Sequence, residues 1–243
     1  MQSEVQSSKS ELHRLLRPQA GDHILDAGCG LGFDSLALAR LVGDDGYVIG
    51  IDSSRTMIRE AKRSASAARL PVHYHVGDLQ NLSYSARSFD ACFTASTFMH
   101  VSSPTNALLE IVRVLKCGGR VVALECDWET LVISIDNRKI ERKVVRLLRR
   151  AIRNPGIAHQ LPVVFATAGL RNLGVAAWTV TIFEYEFANQ IWQIQQTLER
   201  AVKSHIITMA ELNELLNALR AASNAGKLFG AATAFAVCGA KCV

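Results

Sequence analysis

From residue 23 onward the chain alternates short apolar, β-branched runs with longer segments in which apolar residues recur at helical spacing. That alternation predicts repeated strand–helix–strand units. His23–Ala27, Tyr47–Asp52, Val72–Val76, Phe89–Ala95 and Arg120–Cys126 have the length and character of buried strands. Between them, segments near 33–43, 54–68 and 104–116 read as helices. A helix joining two strands of one sheet requires a right-handed parallel crossover, so five such strands predict a doubly wound parallel arrangement. Ahead of them, residues 3–17 read as a short helix with Leu12, Leu15 and Leu16 on one side, ended by Pro18 and Gly21.

After Glu125 the pattern changes. A helix is predicted over 137–153, with Ile140, Val144, Leu147, Leu148 and Ile152 on one face and eight Lys/Arg residues between Arg138 and Arg153 on the other. Pro155–Gly156 breaks it, and a second helix near 160–168 ends at Gly169. Residues 175–187 alternate as a strand, helices follow over 188–203 and 208–224, and 229–240 read as a last strand. Thr208 and Glu211 have the spacing of a capping box at the start of the second of those helices. The expected fold is α/β: a doubly wound, seven-stranded, mostly parallel sheet with additional helices forming a cap. With no repeat, low-complexity tract or linker, one domain over 1–243 is the economical reading. Its core would span about 18–130, and the cap about 1–17, 137–168 and 188–224.

Composition narrows the classes. A hydrophobic fraction of 49% against 20% charged residues is globular rather than disordered. No apolar run reaches the ~18 residues needed to span a bilayer, and residues 1–17 lack the apolar stretch of a signal peptide, so a cytoplasmic location is expected. The net charge of +5 does not by itself imply nucleic acid. The basic helix offers charges that RNA phosphates or an anionic membrane surface would accept. A helix with one apolar stripe and a charged outer face is ordinarily a solvated cap, however, and no interleaved aromatics support base stacking. A nucleic-acid partner is not expected. The six cysteines form no C-x2-C pair, so neither a zinc site nor a disulfide framework is suggested, and the C-x3-C spacing of Cys238 and Cys242 is read as incidental.

The candidate chemistry is concentrated in Ile24-Leu25-Asp26-Ala27-Gly28-Cys29-Gly30-Leu31-Gly32-Phe33, between the first strand and the first sheet helix. A dinucleotide loop would read G-x-G-x-x-G; here the glycines stand at 28, 30 and 32, and Asp26 precedes the first by two. This D-x-G-x-G-x-G arrangement resembles motif I of the class I S-adenosylmethionine-dependent methyltransferases. Asp52 ends the second strand and Asp78 follows the third. Each alone would be read as a turn residue or an N-cap, but three acidic residues at three successive strand ends match the family's spacing. Ser88-Phe89-Asp90-Ala91 and Leu115-Lys116-Cys117-Gly118-Gly119-Arg120 continue the resemblance, with Cys117 where the family commonly has proline. It covers roughly residues 20–126. Asp127-Trp128-Glu129-Thr130-Leu131 and His159-Gln160-Leu161-Pro162 are similar to a small-molecule branch related to the quinone-methylating group. One departure is an insertion of some 40 residues between the sixth and seventh strands.

The resemblance implies a Rossmann-like fold, S-adenosylmethionine as cofactor and S-adenosylhomocysteine as product. It implies that Asp26 meets the amino-acid end of the cofactor, that Gly28, Cys29, Gly30, Gly32 and Phe33 let it lie close to backbone, and that Asp52 accepts from the ribose hydroxyls. Gly77, Asp78 and Leu79 would hold the adenine; Ser53, Met57 and Thr94 complete the cofactor-binding set. His100, just past the fourth strand, and Asp127, just past the fifth, are candidate bases. Trp128 and His159 are candidate substrate contacts. The N/D-P-P-Y/F run of base-amine methylation, the paired glutamates of arginine methylation and an aspartate for a catechol-type magnesium ion are missing from the sequence, so no metal is expected. The leading expectation is methyl transfer to a small-molecule acceptor, with an O-methyl product first and C- or N-methylation open. The alternatives are an RNA or tRNA methyltransferase and a cofactor-binding protein that transfers no methyl, such as a cyclase. A homodimer is left open.

Overall fold

The computed structural model describes Leu12 and residues 14–242. Residues 1–11 and 13, which carry most of the helix expected over 3–17, lie outside the described residues; Leu12 and residues 14–16 are helical. The elements are β1 (His23–Ala27), α1 (Phe33–Val42), β2 (Tyr47–Asp52), α2 (Arg55–Ala68), β3 (Val72–Val76), β4 (Phe89–Ala95), α3 (Pro104–Val114), β5 (Leu115–Ser134), α4 (Arg138–Arg150), α5 (Ile157–Thr167), β6 (Leu170–Ile182), α6 (Tyr185–Trp192), α7 (Ile194–Lys203), α8 (Met209–Asn224) and β7 (Phe229–Lys241).

Seven strands among the described residues form one sheet in the order β3-β2-β1-β4-β5-β7-β6. The pairs β1–β2, β2–β3, β1–β4 and β4–β5 are parallel. The order reverses between β1 and β4, which creates a crevice at their carboxyl ends where open sheets of this type bind ligands. The strands β1 and β4 that flank it are apolar because both faces are covered: Ile24, Leu25, Ala91 and Cys92 are fully buried.

Local chemistry explains where the helices begin. Ser54 caps α2 by accepting from Met57 N at 3.3 Å, and Ser103 caps α3 by accepting from Asn106 N at 3.3 Å, with Pro104 following it. The expected capping box of α8 is present: Thr208 Oγ1 accepts from Glu211 N at 3.2 Å, and Glu211 accepts from Thr208 N at 2.8 Å. β5 starts at Leu115, ahead of the expected Arg120, because Leu115 pairs with Phe89 before the chain bulges through Gly118, at φ +75°, and rejoins at Ala91–Arg120.

Two compact units divide the described residues. The first holds the chain up to Glu125, then Ile157–Ala176 and the segment from Phe235 on; the second holds Cys126–Gly156 and Ala177–Ala234. Within the first unit, α5 packs against α3, whereas its segment was grouped with the cap in the sequence reading. Lys241 Nζ donates to the carbonyls of Val112 and Leu115 at 2.7 and 2.8 Å, satisfying the end of α3. In the second unit, α4 packs on α7 and α8, and Lys143 on α4 is ion-paired with Glu211 on α8.

Further boundaries differ from expectation: β5 runs on to Ser134, past the expected Cys126. The strand expected over 175–187 is β6 at Leu170–Ile182, and Tyr185 starts a helix instead. Its backbone N–H is taken by Ser223 Oγ at 2.9 Å, and Arg220 lies over its ring at 5.0 Å. The helix expected over 188–203 is broken at Gln193, which adopts φ +50°. The preceding Trp192 is packed where a side chain at Gly230 would stand, so tertiary contact turns the chain there.

Candidate active site

The glycine loop leaves β1 at the crevice and is stitched to β2 by backbone. Gly28 N and Cys29 N both donate to Ile51 O, at 2.8 and 3.0 Å. Gly28, Gly30 and Gly32 have φ of +78°, +52° and +78°, left-handed backbone that favours glycine. Steric demand adds to conformation at two of them. A Cβ on Gly28 would fall on the Thr97 side chain, and one on Gly32 would fall on the Tyr74 ring. At Gly30 the nearest atom to such a Cβ would be Met57 Sδ at 3.6 Å, so the loop is open on that side. Gly32 also stands at the N-terminus of α1, where backbone N–H groups favour an anion.

Asp52 is bonded to the loop at Gly30. Its Oδ2 accepts from Gly30 N at 3.0 Å and its Oδ1 from Ser54 N at 2.8 Å. One carboxylate therefore ties the glycine loop to the start of α2 and retains lone pairs for further donors. Gly77 N donates to Asp52 O at 3.1 Å, which brings the loop after β3 to the same place. Asp78 is exposed and accepts from Gln80 N at 2.9 Å. Gln80 Oε1 in turn accepts from Ser102 Oγ at 2.7 Å and Ser103 N at 2.9 Å, linking this loop to the turn after β4. The large apolar side chains of Leu31, Phe33, Met57 and Val76 are exposed around these strand ends. Leu79 is buried beneath them.

Asp26 is 2% exposed and accepts from Ser35 Oγ. Burial pushes its carboxyl up to about 7, against the lowering effect of that hydroxyl. Thr94 is fully buried, and its hydroxyl has no hydrogen-bond partner among the described residues.

Sequence reasoning missed Glu125, at the end of the first unit's part of β5. Its buried carboxylate accepts from Thr97 N and Phe98 N, both at 2.7 Å, and from Met99 N at 3.3 Å. Burial nevertheless pushes it up to about 7, outweighing those three donors. The segment it clamps is the one whose Thr97 side chain abuts Gly28 and donates to Ala27 O at 3.3 Å. It ends at His100, which is exposed and whose N–H donates to Thr97 O at 2.9 Å. The available signal was a lone acid within the apolar run Val121–Cys126.

His159 is exposed on α5 in the first unit. In the second unit, Asp127 is 1% exposed and its Oδ1 accepts from Glu129 N at 2.9 Å. Trp128 is buried, with its backbone N–H donating to Pro155 O at 2.9 Å.

The expected cofactor fits the donor set around the glycine loop. Its ammonium, ribose hydroxyls and exocyclic amine need acceptors, and Asp26, Asp52 and Asp78 provide carboxylates at three successive strand ends. Its carboxylate needs donors, which the start of α1 provides. A flat purine needs apolar cover, and the exposed side chains at these strand ends supply it. Among the described residues no group of three His, Cys, Asp or Glu could hold a metal ion.

Comparison with known proteins agrees with this geometry. Residues 24–119 match the model of a methyltransferase domain. The chain is 34% identical over 235 residues to a 37.1 kDa protein in transposon TN4556 of Streptomyces fradiae, covering 96% of this chain and 66% of that protein. It is 31% identical over 171 residues to a demethylmenaquinone methyltransferase of Symbiobacterium thermophilum, covering 61% of this chain and 68% of that protein. The chain thus spans about two thirds of the length of these relatives. Among solved structures, the YcgJ protein of Bacillus subtilis superposes with a TM-score of 0.68 at 19% identity, over 98% of this chain and 99% of that one, which shows a shared fold.

Proposed function

This chain belongs to the class I S-adenosylmethionine-dependent methyltransferases, in the branch related to quinone methylation, and from that premise we propose that it transfers the cofactor's methyl group to a small-molecule acceptor, with oxygen as the receiving atom. The observation that carries the reading is the Asp52 carboxylate, which holds Gly30 N and Ser54 N at 3.0 and 2.8 Å and leaves acceptor capacity facing an open glycine loop.

When bound, S-adenosylmethionine supplies a methyl group on a positively charged sulfur, activated for in-line displacement. The residues of the chain align and desolvate. Asp52 would receive the two ribose hydroxyls, and the left-handed glycines would let the cofactor approach backbone where side chains would intrude. Asp26 would accept from the ammonium end. Glu125, a positioning residue, fixes the backbone of 97–99 and so the place of His100. His100 is the candidate acceptor of the proton released by a hydroxyl nucleophile. His159, in the same unit, is a candidate for contact to the acceptor.

The test is calorimetric titration of the protein with S-adenosylmethionine and S-adenosylhomocysteine, followed by assay of S-adenosylhomocysteine formation with a panel of phenols and hydroquinones. Micromolar binding is expected, weakened at least tenfold by Asp52→Ala, because hydrogen bonds to a charged acceptor contribute about 1.5–3 kcal/mol each. Binding without turnover on any small acceptor, but with turnover on RNA, would transfer the reading to an RNA methyltransferase. Binding without turnover on either would point to a protein that holds the cofactor for another purpose.

A further inference from the structure

The second unit carries a surface that methyl transfer does not use. On α4, Lys139, Arg142, Arg146 and Arg150 recur at intervals of three, four and four residues. At 100° per residue they fall within about 80° of arc and run about 16 Å along the axis, a narrow stripe rather than a scattered face. The opposite side of the helix buries Ile140, Val144, Leu147 and Leu148, so the stripe is held outward by packing. All four of its side chains are exposed, and Arg153 extends the row past the helix end.

Compensation is confined to the flanks. Lys143 pairs with Glu211, Arg149 with Glu129 at 3.4 Å, and Arg138 reaches Glu141 only at 3.8 Å. Glu141 is itself committed, accepting from Ile135 N at 2.9 Å. Lys139, Arg142, Arg146, Arg150 and Arg153 have no ion pair among the described residues. Five such cations in one row repel each other, and among the described residues no acid pairs with any of them to relieve that cost.

A shallow groove beside the stripe is lined by Arg138, Lys139, Arg142, Lys143 and Arg146. Every polar group it offers is a cationic donor; no amide, hydroxyl or aromatic ring is present to read a base or grip a peptide. On its Lys143 side the groove adjoins the first turn of α8 through Glu211. In the same unit, at the start of α8 and in the turn before it, Met209 and Ile206 stand 58% and 57% exposed. A row of unpaired cations with bare aliphatic side chains in the same unit matches the anionic headgroups and acyl boundary of a lipid surface.

We propose that the α4 stripe, with Ile206 and Met209, docks the second unit onto an anionic membrane surface. The surface is independent of the proposed reaction. A membrane-dissolved acceptor would be brought within reach of the chain by such docking.

The experiment is sedimentation of the purified full chain with vesicles of pure phosphatidylcholine and of phosphatidylcholine with 40% phosphatidylglycerol, at low and at physiological salt, with tRNA titrated in parallel. Binding to the anionic vesicles only, weakened by salt, is expected. At about fivefold per cation, the triple variant Arg142→Gln, Arg146→Gln, Arg150→Gln is expected to bind about a hundredfold more weakly. Ile206→Ser with Met209→Ser is expected to weaken vesicle binding and leave any tRNA binding unchanged. Affinity for S-adenosylmethionine should be unaltered in both variants. Failure to bind anionic vesicles, or vesicle binding indifferent to the triple variant, would overturn the proposal. So would tRNA binding tighter than vesicle binding, with both indifferent to the aliphatic variant.

Discussion

Replacing Glu125 with glutamine separates two roles of one buried carboxyl. Its pKa is raised from 4.5 to about 7 by burial. The fold therefore prefers the protonated form, and stability present below pH 4.5 is lost as pH rises through about 7. Between pH 5 and pH 8 this group withdraws about 2–3 kcal/mol. Asp26, raised from 3.8 to about 7, withdraws a similar amount over the same interval. Glutamine cannot ionise, so Glu125→Gln abolishes the first contribution and leaves the second. It keeps an oxygen for Thr97 N and Phe98 N, which share Oε1, but turns an amide toward Met99 N, 3.3 Å from Oε2. That mismatch costs about 1–2 kcal/mol at every pH. The variant should be the less stable protein at pH 5 and equal or more stable at pH 8. Urea unfolding at half-unit pH steps measures both curves, and the gap between them should change by about 2–3 kcal/mol from pH 5 to pH 8. Parallel curves would refute the reasoning and mean that the carboxylate stays ionised in the fold.

Two further expectations rest on the glycine loop. If Asp26 must be ionised to meet the cofactor's ammonium, affinity measured by calorimetry should rise nearly tenfold from pH 5.5 to pH 6.5 and level off above 7; Asp26→Asn should bind weakly with no such rise, and a flat wild-type profile would remove Asp26 from the contact. Gly32→Ala should cost about 2–4 kcal/mol in thermal or urea unfolding, because left-handed strain at φ +78° is joined by a clash with Tyr74. Gly43→Ala, strained at φ +67° but with nothing within 4 Å of its Cβ, should cost about 1 kcal/mol, and equal losses would mean that the Tyr74 ring yields.

The elements from residue 23 to residue 114 were legible because each depends on its own sequence: apolar β-branched runs for the strands, period-3.6 patterns for the helices and the glycines of the loop after the first strand. The same holds for the capping box at Thr208. Beyond Glu125 the boundaries were less so. Phe183-Glu184-Tyr185-Glu186-Phe187 alternates like a strand, and only the Ser223 and Arg220 contacts make Tyr185 helical. Gln193 carries no local signal for a break, which depends on Trp192 meeting Gly230. At the site, the strand-end acids were readable from spacing, whereas the bonds from Gly30 N and Ser54 N to Asp52 were not, because they depend on how the two loops meet. Glu125 was not, since its role consists of backbone partners 26–28 residues away in the sequence. The uncompensated stripe on α4 was visible as charge, but which cations lacked partners needed coordinates.

Tyr74 lies under the site rather than in it. It is 2% exposed, and its hydroxyl donates to Gly32 O at 3.1 Å. A Cβ on Gly32 would meet its Cζ at 2.6 Å, and one on Gly50, in the neighbouring strand, would meet its Cε1 at 2.7 Å. One ring thus occupies the space that two glycines decline. Positions 32, 50 and 74 form a single volume shared among three stretches of chain, so none of them is free to drift alone. A methyl gained at either glycine is tolerable only after the ring has shrunk, and a smaller ring leaves a void until a glycine grows. Among homologous chains this predicts that the three positions change together or not at all, a constraint that a tally of ligand contacts would not reveal.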